Sequence, residues 1–152
     1  MLTIGEALMA YLQSDDDVGD ELGADDDCRI YADVAPQDAT AGEPHAMLTV
    51  ESTTEFPVLS GRTVGTVQTT ILLDVRAATR GEAVSVSKLI RGKLLDIQAE
   101  KIVPSVSGGL WIDSVTSEQG REDLVQAPQE ADDAWQYIGR QRFVIFHAID
   151  ET

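Results

Sequence analysis

Apolar side chains recur along this chain at two different periods, and the switches between them divide it into elements. Ile4, Leu8, Tyr11 and Leu12 return every three to four positions behind a Thr3-x-x-Glu6 capping box, which predicts a first helix over residues 4–13. Val18 and Leu22 stand four apart with Gly23 behind them, which suits one more short helical turn closed by a left-handed glycine. From Arg29 to Gly42 the chain reads as extended, because Pro36 keeps the residue before it out of the helical region, and it is expected to cross the surface beside the core. Beyond Pro44 the period becomes two. Ala46, Leu48 and Val50 alternate with Met47, Thr49 and Glu51, the pattern of a strand covered on one face.

An apolar connection over 54–65, holding Pro57 and Gly61, leads into a long second strand. It puts Val67, Thr69, Ile71, Leu73 and Val75 on one face and Gln68, Thr70, Leu72, Asp74 and Arg76 on the other. A second capping box, Thr79 with Glu82, opens a second helix whose stripe of Ala83, Val86, Ile90, Leu94 and Ile97 carries it to about residue 100. After the Gly108-Gly109 turn, Leu110, Ile112 and Ser114 alternate with Trp111, Asp113 and Val115 as a third strand. A run from Ala134 to Ala148 makes the fourth, with apolar residues on both faces, as expected of a central or partner-covered strand. The order helix, strand, strand, helix, strand, strand predicts an α+β fold. Its sheet is largely antiparallel and four-stranded, with two main helices packed on one face and long inter-strand hairpin loops. With 152 residues and 43% hydrophobic content, one core and a single domain over 1–152 are expected.

Charge changes this picture on the functional side. Against 27 acids stand 11 lysines and arginines, a net of -16. Such a field opposes contact with phosphate and disfavours sequence-reading nucleic-acid binders. Residues 1–60 hold 14 acids against Arg29 alone, a net of -13, and residues 61–152 hold 13 against 10 bases, a net of -3. Eight of the acids crowd between Asp15 and Asp27. A calcium loop would need ligands at alternate positions, a mid-loop glycine and a closing glutamate. Counted from Asp15, the sixth position is Asp20 and the twelfth Asp26, so a solvated acidic turn is the reading. The lone Cys28 makes no internal disulfide, no apolar run approaches the ~20 residues of a membrane span, and the opening residues show no secretion signal.

Groups for chemistry are sparse. His45 opens the first strand and His147 closes the fourth, where they could meet across the sheet, but with Cys28 they make no zinc-ligand spacing. Asp25, Asp26 and Asp27 discourage a thiolate at Cys28, and Ser107-Gly108-Gly109 and Leu59-Ser60-Gly61 match neither a nucleophile elbow nor a phosphate loop. No catalytic, cofactor-binding or metal residue is assigned, and no cofactor is expected. What stands out is loop length. Residues 118–133 join two strands that about 2–5 residues could join, and they carry Leu124 and Val125 in the middle. The Phe56-Pro57-Val58-Leu59 stretch has the same exposed apolar character, that of a protein-docking arm.

The segments Arg29-Ile30-Tyr31 and Val34-Ala35-Pro36-Gln37 follow a short N-terminal helix. Together with Pro44-His45-Ala46-Met47-Leu48-Thr49-Val50, the strand from Val67 to Val75 running through Arg76-Ala77 into a helix, and the closing hairpin, they resemble the tail terminator, or tail completion, proteins of long-tailed phages. The resemblance spans nearly the whole chain. It departs from the family at His45, where an aromatic residue commonly follows the proline, and in its heavier negative charge.

The resemblance implies a non-enzymatic virion protein, assembled in the host cytoplasm. Its copies would close into a ring, typically a hexamer, on the head-proximal end of the tail tube, stop tube growth and offer a surface to head-completion or connector proteins. Genome DNA would pass through the lumen without specific binding, past a negative wall formed by the acidic segment, and no membrane is involved. Phe56, Val58, Leu59, Leu124 and Val125 are the expected subunit or tube contacts, and Arg62, Arg140 and Arg142 the expected partners of a neighbour's acids. The alternatives are another head-tail connector tier, such as a head-side stopper, and a small cytoplasmic α+β enzyme or ligand-binding domain with one deep polar pocket.

Overall fold

The computed structural model of the chain describes residues 4–23, 28–32, 44–56, 66–102, 110–117, 125–126 and 137–148. Two helices, α1 (Ile4–Gln13) and α2 (Asp16–Leu22), precede a short strand β1 (Ile30–Ala32). Then come β2 (His45–Phe56), β3 (Thr66–Ala77), α3 (Arg80–Leu95), β4 (Gln98–Ile102), β5 (Leu110–Ser117), β6 (Val125–Gln126) and β7 (Tyr137–Ala148). The strands form one seven-stranded sheet in the order β1-β2-β3-β7-β5-β4, with β6 also paired to β7. Every pairing is antiparallel except β1 with β2.

The α+β class, the mainly antiparallel sheet and the two longer helices follow the alternation and the helical stripes, but the sheet has more strands than the four expected. Arg29 to Gly42 was expected to be extended and to cross the surface beside the core. Ile30–Ala32 is extended, but Ile30 is buried and the segment lies parallel beside residues 46–48, while residues 33–42 lie outside the described residues. The second helix stops at Leu95 rather than near residue 100. Asp96 caps it with its amide directed to the Gly92 and Leu94 carbonyls, and the chain re-enters the sheet as β4. Ile97, the last member of the helical stripe, is buried just beyond that end, so the stripe overruns the helix by using the same core. The first strand extends to Phe56 into what read as a connection, and the fourth starts at Tyr137.

β3 organises the sheet. Its twelve residues, about 40 Å of extended chain, pair with β7 from Thr66↔Ala148 to Ala77↔Tyr137 and with β2 over nearly the same length. On one face Ile71 and Leu73 of β3, Phe143 and Ile145 of β7, and Ala46 and Leu48 of β2 join Leu8 and Leu12 of α1, Val18 and Leu22 of α2 and Val86, Ile90 and Leu94 of α3 in a single core. Burying a side chain such as Phe143 contributes about 2–3 kcal/mol against leaving it in water. On that face Thr69 Oγ1 and His147 Nε2 share a buried hydrogen bond of 2.8 Å, which satisfies both groups. His45 and His147 do not meet. They align with Arg76 and Val67, at opposite ends of β3, about 30 Å apart along the strand.

The acid-rich stretch after α1 is helical in part, not simply a solvated turn. Asp15 caps α2, its carboxylate accepting from the Asp17 and Val18 amides at 2.9 and 3.1 Å. Lys93 of α3 then reaches both Asp15, at 3.1 Å, and Asp17, at 2.8 Å. Burial pushes the Asp15 carboxyl up, but the Val18 amide, the Lys93 ammonium and the Asp17 amide together hold it below the usual 3.8. Hydrogen bonds to Asp17 and Asp15 hold Lys93 protonated well above the ordinary lysine value of 10.5. Gly23 ends α2 with φ 94°, a conformation natural to glycine, and its amide returns to the Gly19 carbonyl. Arg29 ties this corner to the sheet by donating from Nε to the Pro44 carbonyl and from Nη2 to the Glu21 carbonyl, at 2.8 and 3.2 Å.

Candidate functional site on the helix-free face of the sheet

Alternation along β3 gives the sheet two unlike faces. The odd-numbered face lies under the helices. The other carries Leu72, Asp74 and Arg76 of β3, Met47 and Thr49 of β2, and Ile138, Arg140, Arg142, Val144 and Phe146 of β7. Apart from Asp74, which is buried, and Arg140, which is exposed, these side chains are half-buried, as sheet residues are when neighbours flank them but no described helix lies on top.

At the centre of this face one carboxylate faces two guanidiniums. Asp74 Oδ2 lies 3.5 Å from Arg140 Nε on the adjoining strand and 3.7 Å from an Arg76 nitrogen two positions along its own. Asp74 is only 7% exposed, yet its Oδ1 meets no hydrogen-bond donor, and neither does the buried Arg76 Nε meet an acceptor. Two residues further along β7, Arg142 Nε donates to Glu51 Oε2 at 2.9 Å, and Glu51 sits at the bulge where the β2–β3 register shifts between Val50 and Ser52. Each described arginine on this face therefore already holds an acid of its own chain.

Of the residues proposed from sequence, the fold brings Arg140 and Arg142 together on this face. Phe56 ends β2 opposite Thr66, and Val125 opens β6 opposite Gly139. β6 lies on the same side of β7 as β5 and in line with it, since β5 covers residues 143–147 and β6 covers 138–139. The stretch read as a single connection over 118–133 is thus anchored midway. Val58, Leu59, Arg62 and Leu124 lie outside the described residues.

Sequence reasoning missed Asp74 and Arg76 as members of the cluster, although both stood on the polar side of the β3 alternation. What it lacked was the pairing that sets Arg140 opposite Asp74. Among the described residues no three histidines, cysteines, aspartates or glutamates converge as an ion site, and no helix is long and apolar enough to cross a membrane.

No protein family and no curated protein sequence matches the chain. Among solved structures, a chain from the virion of the native gene transfer agent (GTA) particle shares its architecture. The likeness covers 94% of this chain and 94% of that one, with a TM-score of 0.50 and 14% identity. At that identity it is a likeness of fold alone.

Proposed function

We propose that this chain is a structural subunit of a tailed, phage-like particle and acts as its tail terminator. Copies close into a ring, a hexamer, on the head-proximal end of the tail tube; the ring stops tube growth and presents the joining surface to a head-completion or connector protein. The observation that carries the reading is the likeness of fold to a chain of a virion, over 94% of each chain. The helix-free face supports it, because a sheet face bearing arginines among half-buried Leu72, Val144 and Phe146 has the composition of a protein contact. In this role the chain performs no catalysis. It resides in the virion after assembly in the host cytoplasm, and DNA traverses the lumen without being read.

Phe56, Val58, Leu59, Leu124 and Val125 serve as tube or subunit contacts, and Arg62, Arg140 and Arg142 as charge partners for a neighbour's acids. Replacing Leu124 and Val125 together by aspartate tests the reading: the chain is expected to fold while tails fail to join heads. Normal joined particles from that variant would remove the docking role of this segment. Cross-links to portal-adjacent proteins in the absence of any to the tube would move the chain one tier up, to a head-side stopper.

A further inference from the structure

We propose that the helix-free face receives the acidic helix α2 of a second copy of this chain, so that successive subunits join head to tail through Arg140 and Arg142 on one copy and Asp16, Asp20 and Glu21 on the next. This rests on the reading of the chain as a ring subunit and names the surfaces that close the ring.

Four observations carry it. First, β2, β3 and β7 together hold three arginines and no lysine, in a chain whose lysines all lie elsewhere. Arginine is the cation suited to burial in a contact, because its planar fork meets a carboxylate with two parallel hydrogen bonds and is less strongly hydrated than an ammonium. Second, the internal pairing at the centre is incomplete. Asp74 is shared by Arg76 and Arg140 through one oxygen at 3.5–3.7 Å, which leaves one guanidinium charge in surplus and Arg140 with its side chain 52% exposed. A surface that buries Arg140 must supply another carboxylate, since an uncompensated buried charge is strongly unfavourable.

Third, the chain itself has a matching surface. α2 exposes Asp16, Asp17, Asp20 and Glu21, and Lys93 engages only Asp17 among them. That helix is held in place before any contact forms, by the Asp15 cap, by Lys93 and by the Arg29 bond to the Glu21 carbonyl, so little ordering opposes docking. Fourth, α2 packs on the helix side and the arginines lie on the opposite side of the sheet. A contact between them uses two different patches, is heterologous, and closes when its rotation divides a full turn. The acids of α2 are then spent between subunits and do not line the channel.

Sedimentation equilibrium of the full chain tests this. The unmodified chain is expected to self-associate; Arg140→Glu and the double change Asp16→Lys with Asp20→Lys are each expected to weaken association at least about tenfold, and all three changes in one chain to restore it to within about threefold. Circular dichroism verifies folding, and Arg142→Glu replaces Arg140→Glu if that chain does not fold. The proposal is overturned if the chain stays monomeric up to about 1 mM, if either swap leaves association unchanged, if the combined chain is not rescued, or if Arg140 governs binding of duplex DNA instead. A chain that occupies a tail ring in particles and tolerates every swap would refute this contact alone and leave the tail-terminator reading standing.

Discussion

Arg140 and Asp74 face each other across β7 and β3 at 3.5 Å, a half-exposed guanidinium against a carboxylate that is nine-tenths buried. The asymmetry decides what each side chain is worth. Arg140 can turn to water when its partner goes, whereas Asp74 cannot.

Arg140→Ala is therefore expected to destabilise the chain by about 1 kcal/mol, because it strips one of two cations from a desolvated carboxylate. Asp74→Asn removes that charge and is expected to make the same Arg140 truncation nearly neutral. Denaturant unfolding of the two single variants and the double variant measures the coupling; purely additive effects would show that the pair contributes nothing.

The clamp between α2 and α3 makes its own pH signature. Asp15 has a carboxyl held below its usual value in the fold, so its contribution is complete above the unfolded value of 3.8 and is lost as pH falls through the lower folded value. Lys93 is raised, so its contribution is complete below 10.5 and fades as pH rises beyond that point. Thermal unfolding across pH is expected to show both flanks in the unmodified chain, and Lys93→Gln is expected to flatten the alkaline one. An alkaline flank unchanged in that variant would assign the loss to other groups.

Within the clamp, capping and pairing can be separated. Asp15→Ala is expected to cost about 1 kcal/mol through the lost cap, whereas Asp15→Asn keeps an oxygen for the Asp17 and Val18 amides and is expected to cost less. Equal losses in the two variants would mean that the ion pair with Lys93 outweighs the cap.

Gly92 lies in the interior of α3, is exposed, and a methyl group added there would meet nothing within 4 Å. Gly92→Ala is expected to stabilise the isolated chain by about 0.5–1 kcal/mol, since alanine loses less backbone entropy on forming the helix. A lower melting temperature would contradict the open space around that position.

Much of this architecture can be read from the residues. The Thr79 hydroxyl accepts from the Glu82 amide, as the capping box predicts, Gly23 closes α2, and the alternation through β3 assigns both faces correctly. What escaped depends on partners far along the chain. β1 has only three residues, too few for a period, and becomes a strand because Ile30 fits the core beside Ala46. β4 reads Gln-Ala-Glu-Lys-Ile, which carries no clean alternation, and it follows a helix whose stripe runs on to Ile97. Lys93 meets Asp17 across 76 positions, and Arg140 meets Asp74 across 66; no local pattern encodes either. Arg140 and Arg142 were singled out as charge partners from sequence, but the carboxylates they hold emerge only from the registers of β2, β3 and β7.

As proposed above, the chain is one segment of a ring at the joint between head and tail. Electron microscopy of the purified particle, at a resolution that traces strands, tests this most directly. The expected map shows a ring of this seven-stranded fold seated on the last layer of the tail tube and touching the connector above it; density for the chain elsewhere in the particle, or its absence from the particle, would contradict the account.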